Sequence, residues 1–307
     1  MCVTEGGRSE LRGGGTKHVP GTLLAIPMSS KDTNLNTAMS PSGSSDSPAA
    51  SVRTRPGHSD PSAPLRCAAV IPAAGRGVRL GPGAPKALRA LGGTPMLVHA
   101  VRALARARAV SLVVVVGPPD EAAQVRTLLD DHLGQLDSTE VVVVPGGGTR
   151  QDSVRLGLAA LPDDVGVVLV HDAARPLVPV DTVEAVAEAV RAGAPAVVPA
   201  LPVTDTVKQV VPGGEPGSPE PVVATPERAA LRAVQTPQGF DRRVLAEAHE
   251  KVPAAGDGAT DDAGMVERLG VEVVLVPGHE EAFKVTRPLD MVLAEAVLAR
   301  RRATDAF

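Results

Sequence analysis

An open α/β fold, with a mostly parallel twisted sheet and helices on both faces, is what this 307-residue chain predicts. Three observations carry it. Short valine-rich apolar runs recur from residue 67 onward, and helical patterns separate them. The runs are apolar at successive rather than alternate positions, which suits strands covered on both faces. Glycine-bearing loops follow several runs, at the carboxyl ends of strands, where such sheets bind ligands.

Cys67-Ala68-Ala69-Val70-Ile71 reads as the first strand and leads into the loop Pro72-Ala73-Ala74-Gly75-Arg76-Gly77-Val78-Arg79-Leu80. Thr94-Pro95 reads as the opening of a helix through Arg108, with Thr as N-cap and Pro in the first turn. A valine strand at 111–116 and a helix at 120–133 follow. Next come a strand at 141–144, the Gly146-Gly147-Gly148 loop, a helix at 151–161, and a strand at 167–170 that ends on His171-Asp172. Helix 181–191 and strand 195–200 complete the repeat. Residues 201–228 break the rhythm: an extended stretch, a Gly/Pro tip and the returning Val222-Val223-Ala224 predict a protruding β-arm, the alternative being a plain surface loop. Two strands alone are marginal, so such an arm calls for a second subunit. Residues 283–286 read as a short strand and 288–301 as the last helix.

Bulk properties exclude several classes. A formal net charge of -4 suggests neither a nucleic acid nor an anionic membrane as partner. Aromatic content of 1%, with no Trp or Tyr, provides no base-stacking platform. The 2 cysteines make neither a disulfide framework nor a zinc site. No apolar run reaches the roughly 20 residues of a membrane span, so a cytoplasmic protein is expected. Residues 1–66 are rich in Ser, Gly, Pro, Thr and Asn and read as a disordered extension, leaving 67–303 as the folded domain.

The loop after the first strand, with Arg79 and then Lys86, suits a polyphosphate: glycine lets backbone N–H groups approach anionic oxygens, and two cations stabilise transferring charge. It matches neither a dinucleotide fingerprint nor a P-loop. The Gly146–Gly148 run allows a base or ribose to approach the backbone, and Ser153 reads as a hydroxyl at the following helix start. Asp172, at a strand tip beside the phosphate loop, is placed to hold Mg²⁺, which accepts one or two carboxylates plus phosphate and water; a helix cap is the alternative. His171 reads as orienting its loop. Arg175 offers a planar fork for phosphate or carboxylate. Arg228 at the end of the arm, Thr236, Thr260 and Lys284 are further candidates, each on its own balanced between function and scaffold.

The stretches PAAGRGVRL, APKAL, GGGTRQDSV, VHDAARP, PVTDTVK, TPQGF, TDDAGMVE and FKVTRPLD occur in one order over 67–303. In that order they resemble the 2-C-methyl-D-erythritol 4-phosphate cytidylyltransferases of isoprenoid precursor biosynthesis. The resemblance implies a Rossmann-like fold of the nucleotide-diphospho-sugar transferase type. It implies transfer of CMP from CTP to methylerythritol phosphate with release of pyrophosphate, a requirement for Mg²⁺, and a homodimer with shared sites joined through arm 201–228. Carried over by position, Arg79, Lys86 and Lys284 match the catalytic cations. Ala73, Ala74, Gly75, Gly148 and Ser153 match the nucleotide pocket, and Asp172 the metal-binding aspartate. Arg175, Arg228, Thr236 and Thr260 match the substrate side, with Arg228 coming from the partner's arm. Thr149, Asp262 and Ala87 depart from the residues usual at those positions. A nucleotidyltransferase for another polyol or sugar phosphate, and a non-catalytic nucleotide sensor, are the rival readings.

Overall fold

Small and branched side chains fill the centre of the sheet because helices cover both of its faces. The computed structural model describes residues 65–75, 85–134, 136, 138–211, 213, 217–253 and 261–304. These fall within one compact unit, Gly57–Phe307. The expected extension thus lies outside the described residues except for Leu65 and Arg66, and Arg66 already belongs to the first strand.

The repeat runs β1 (Arg66–Pro72), a short hairpin of β2 (Ala90–Leu91) and β3 (Thr94–Pro95), α1 (Met96–Ala105), β4 (Val110–Gly117), α2 (Ala122–Leu133), β5 (Glu140–Pro145) and α3 (Arg150–Ala159). It continues through β6 (Val165–Val170), α4 (Val180–Arg191) and β7 (Ala196–Pro202). The arm follows as β8 (Gln209–Val210) and β9 (Val222–Ala224). Then come β10 (Arg232–Val234), β11 (Gln238–Asp241), α5 (Arg242–Lys251), α6 (Asp262–Arg268), β12 (Val274–Pro277) and α7 (Pro288–Thr304).

The main sheet is ordered β10-β7-β11-β6-β1-β4-β5, with β12 pairing β7. From β6 to β5 every pairing is parallel. Beyond β6 the sheet is mixed: β11 inserts antiparallel between β6 and β7, and β10 runs antiparallel on β7. Successive residues of β1 serve opposite layers. Ala69 and Ile71 join the core beneath α1, α2 and α4, which includes Leu97, Leu129 and Val186. Ala68 and Val70 join the core beneath α3, α5 and α6, which includes Val154, Leu245 and Val266. A third cluster of Leu91, Met96, Leu177, Val285 and Ala294 seats α7.

Two local expectations are corrected. Thr94 does not cap a helix: Thr94 and Pro95 pair back onto Leu91 and Ala90, and the helix begins at Met96 with no side-chain cap bond. Proline's extended φ suits the hairpin as well as a helix start. Residues 283–286 form no strand; Val285 N–H donates to the Ala174 carbonyl at 2.8 Å without a ladder on either side. The arm is an antiparallel hairpin, and it exposes Val207, Val211, Val222 and Val223, the last three by more than half. Among the described residues no helix is long and apolar enough to cross a membrane.

Candidate active site

Three strand ends bring the first two loops together. Ala73 N–H donates to the Val116 carbonyl at 2.8 Å, and Gly146 N–H donates to the Gly117 carbonyl at 2.8 Å. The loops after β1 and β5 are thereby stitched to β4 between them. A Cβ on Gly146 would stand 2.8 Å from that Gly117 oxygen and 2.9 Å from the Ala74 Cβ, so only glycine lets the loops touch. At Gly147 a Cβ would meet the Asp152 Cβ at 2.4 Å.

Thr149 explains itself locally. It is the N-cap of α3: its hydroxyl accepts from Asp152 N–H at 3.0 Å, and Asp152 Oδ2 accepts from Thr149 N–H at 3.2 Å, a capping box. Ser153 is buried, and its hydroxyl donates to the Thr149 carbonyl at 3.0 Å and accepts from Gly147 N–H at 3.2 Å. The sequence suggests an open hydroxyl at the helix start; the structure turns it inward to fix the glycine loop. Space beside Gly148 is open.

Asp172 leaves the tip of β6 and meets two cations. Lys284 Nζ donates to its Oδ2 at 2.7 Å, and an Arg150 terminal nitrogen lies 3.6 Å from its Oδ1. Burial pushes this carboxyl up, but Arg150, Lys284 and Arg175 outweigh it and bring it down to about 2. Pro72, Ala73, Gly75, Lys86, Ala87, Asp172, Ala173, Ala174 and Lys284 line one pocket of about 150 Å³. Five predicted site residues, Ala73, Gly75, Lys86, Asp172 and Lys284, therefore share one cavity. Among the described residues no three of His, Cys, Asp and Glu converge as a metal cage. A single ionised carboxylate still suits Mg²⁺, whose remaining ligands come from phosphate and water.

The loop behind Asp172 is braced by a hydrogen-bond chain. Asp172 N–H donates to the Thr236 hydroxyl at 3.0 Å, and that hydroxyl meets His171 Nδ1 at 3.1 Å. His171 Nε2 meets the Arg175 carbonyl at 3.1 Å. Arg175 in turn donates to the carbonyls of Ala282 at 2.7 Å and Val234 at 3.2 Å. Expected on the substrate side, Thr236 has its hydroxyl, and Arg175 both of its terminal nitrogens, engaged with protein, while the buried Arg175 Nε has no hydrogen-bond partner. Arg228 lies elsewhere, in a cavity of about 510 Å³ with Pro202, Val203, Glu227, Ala229 and Arg232. Its guanidinium donates to the Thr204 carbonyl at 2.8 Å. Arg79 and Thr260 lie outside the described residues.

Sequence reasoning passed over Arg150, His249 and Asp262 as site groups. An Arg150 terminal nitrogen forms an ion pair with buried Asp262 Oδ2 at 2.7 Å, and His249 Nε2 lies 3.0 Å from the other Asp262 oxygen. The available signal was an arginine directly after the Gly146–Thr149 loop, on the first turn of α3.

Burial drives the His171 imidazole down to about 4 from 6.5, so it is neutral at pH 7. The unfolded chain then binds more protons than the folded one between pH 6.5 and 4, and stability rises with pH across that window. The full contribution is about 3 kcal/mol, on the order of that shift at 1.36 kcal/mol per unit. Urea unfolding from pH 7 down to 4 is expected to show this loss in the wild type and a shallower one in His171→Gln. Equal slopes would remove His171 as the cause.

The comparisons with known proteins join this geometry to a family. The family profile for 2-C-methyl-D-erythritol 4-phosphate cytidylyltransferase matches residues 67–300. The chain belongs to that family. The enzyme of that name from Streptomyces coelicolor is 75% identical over 244 residues, 80% of this chain and 89% of the relative. The one from Saccharopolyspora erythraea is 52% identical over 234 residues, 75% of this chain and 98% of the relative. The crystal structure of the Thermus thermophilus enzyme of the same name aligns with a TM-score of 0.57 at 38% identity, over 75% of this chain and 97% of that one. A 4-diphosphocytidyl-2C-methyl-D-erythritol synthase from Anaerococcus prevotii gives a TM-score of 0.63 at 27% identity, over 76% of this chain and 96% of that one. The match covers β1 to α7, so every site residue named above lies inside the family region.

Proposed function

We propose that Asp172, Lys284, Lys86 and Arg79 carry out the family's reaction in this chain. CMP passes from CTP to 2-C-methyl-D-erythritol 4-phosphate, giving 4-(cytidine 5'-diphospho)-2-C-methyl-D-erythritol and pyrophosphate. The observation that carries the reading is the ionised Asp172, clamped by Lys284 and Arg150, in one pocket with Ala73, Gly75 and Lys86.

A phosphate oxygen of the acceptor attacks the α-phosphorus of CTP in line. The new P–O bond forms as the bond to the bridging oxygen breaks, and pyrophosphate leaves with that electron pair. The acceptor monoester is already anionic at pH 7, so no strong general base is needed. Positioning and charge stabilisation remain as the protein's contribution. Lys86 and Arg79 offset charge on the leaving group. Lys284 turns from Asp172 toward the α-phosphoryl group. Backbone groups of Ala73, Ala74, Gly75 and Gly148 hold the nucleotide, with Ser153 fixing the glycine loop from behind. Thr236 and Arg175 hold the Asp172 loop in place. Asp172 would hold Mg²⁺, which when bound supplies positive charge to the phosphate oxygens.

The arm supports a homodimer. Arg228 shares no lining residue with the pocket of Asp172, and the exposed valines of β9 call for a covering surface. A second copy with twofold symmetry would cover them and bring Arg228 to the acceptor phosphate of its neighbour. Residues 67–303 form the catalytic domain on this reading, and 201–228 the dimerisation arm.

Pyrophosphate release from CTP, Mg²⁺ and methylerythritol phosphate tests the reaction, with ribitol phosphate and the other nucleoside triphosphates as comparators. Release with CTP and methylerythritol phosphate above all others is expected; preference for another acceptor or nucleotide would refute it. Asp172→Asn keeps the shape but loses the charge. The Mg²⁺ concentration for half-maximal rate is expected to rise by about tenfold or more. An unchanged titration would make Asp172 structural.

A further inference from the structure

Asp262 has no part in the steps above, yet it is fully buried and charged. It lies in the first turn of α6, with no exposed surface. His249 Nε2 lies 3.0 Å from its Oδ1, and an Arg150 terminal nitrogen lies 2.7 Å from its Oδ2. Burial pushes the Asp262 carboxyl up, but the His249 hydrogen bond and the Arg150 charge prevail and hold it below the usual carboxylate range. Arg150 supplies the opposite charge, its terminal nitrogen 2.7 Å from Asp262 Oδ2. Both groups therefore stay ionised. Stability alone does not call for this arrangement, since well-packed apolar residues often replace a buried ion pair at no loss.

What the arrangement does is hold a cation. Arg150 is gripped at one end by Asp262 at 2.7 Å, and its other end reaches Asp172 at 3.6 Å. Lys284 occupies the second Asp172 oxygen at 2.7 Å. The contacts thus run His249, Asp262, Arg150, Asp172, Lys284, from the α5–α6 side of the sheet into the pocket. The Arg150 side chain is 37% exposed and does not itself line the pocket; its charge reaches the pocket through Asp172. A long, flexible side chain loses rotamer freedom when fixed, and a buried carboxylate with its own histidine clamp supplies that fixation before any nucleotide arrives.

We infer that Asp262, clamped by His249, is a positioning residue that anchors Arg150, so that Asp172 keeps a fixed cation when Lys284 turns to the nucleotide. The inference rests on the reading of the site given above. Asp262 acts through Arg150 and touches no substrate itself. Its signature is therefore coupling: once Arg150 is gone, Asp262 has nothing left to position.

Arg150→Gln, Asp262→Asn and the double variant form the test, with melting temperature, pyrophosphate-release kinetics and CTP affinity by calorimetry measured for each. Asp262→Asn is expected to lower kcat/KM by about ten- to a hundredfold, as loss of an outer-shell partner does. The double variant is expected to be no slower than Arg150→Gln alone. Multiplying effects on kcat/KM, or a lower melting temperature with unchanged kcat/KM, would overturn the inference. His249→Gln combined with Arg150→Gln gives the same cycle from the other side of the clamp if Asp262→Asn does not fold. Wild-type turnover with multiplying effects sinks the inference alone. A wild type that binds CTP without turnover removes the functional reading, and coupling in CTP affinity then decides the anchor. No CTP binding at all overturns both.

Discussion

Lys86→Ala is expected to lower kcat/KM by about 10²-fold or more, roughly 2.7 kcal/mol of transition-state stabilisation, with the fold intact. Lys86 opens a short 3₁₀ turn, Lys86–Leu88, whose buried residue is Ala87, so the lysine is presented from a turn anchored by its neighbour. Its ammonium shares the pocket with Lys284 and Asp172. On the proposed mechanism negative charge grows on the departing pyrophosphate beside Lys86, and removing that fixed cation leaves the charge to water. Lys284→Ala is expected to be as damaging for two reasons. It removes a cation from the α-phosphoryl group, and it strips Asp172 of its closest counter-ion, so the carboxyl moves up from about 2 with burial opposed chiefly by Arg150. Steady-state kinetics beside a thermal melt provide the check. Near-wild-type kcat/KM in both variants would remove these residues from the mechanism.

Activity is expected to return when two inactive variants exchange subunits. On the proposed shared site, Arg228→Ala and Lys86→Ala each remove a different half of what two chains would build together. In a mixed dimer one site carries both defects and the other neither, so recovery approaching half the wild-type rate per mixed dimer follows from counting sites. The exposed Val222 and Val223 are the apolar surface that such a pairing would cover. Mass-tagged chains verify the exchange. No recovery despite exchange, or a monomer by light scattering, would refute the shared site.

The parallel half of the sheet was legible because its strands are runs of valine and alanine bounded by glycine loops, a pattern set by burial on both faces. The inserted strand Gln238–Asp241 was not. It follows Thr236-Pro237 and contains a glycine, so local chemistry reads as a turn; its partners β6 and β7 are chosen by tertiary packing. Thr94-Pro95, which forms β3, was read as the mouth of a helix, because proline's φ suits either and the pairing with Ala90-Leu91 shows no sequence signal. In the site, Asp172, Lys86 and Lys284 were legible as charges beside strand-end loops. Ser153 and Thr236 were read as hydroxyls open to ligand, because sequence shows a donor but not what buries it. In the sequence Asp262 was legible as a departure from the family pattern; its grip on Arg150 joins the first turn of α6 to the first turn of α3, a contact no local pattern encodes.

The brace behind Asp172 also bears on how the protein comes into being. Asp172 is tied to Thr236 across 64 residues of chain and to Lys284 across 112. Contacts so distant in sequence must wait for the sheet between them. During synthesis the phosphate loop and Asp172 emerge early, yet nothing clamps the carboxylate until β11 has wedged in beside β6 and the segment after β12 has docked against Ala174. A nascent chain halted short of Lys284 carries most of its nucleotide-facing residues but not the assembled pocket. Competence to bind CTP should therefore arise abruptly, with the arrival of the last helix, rather than grow as the domain lengthens.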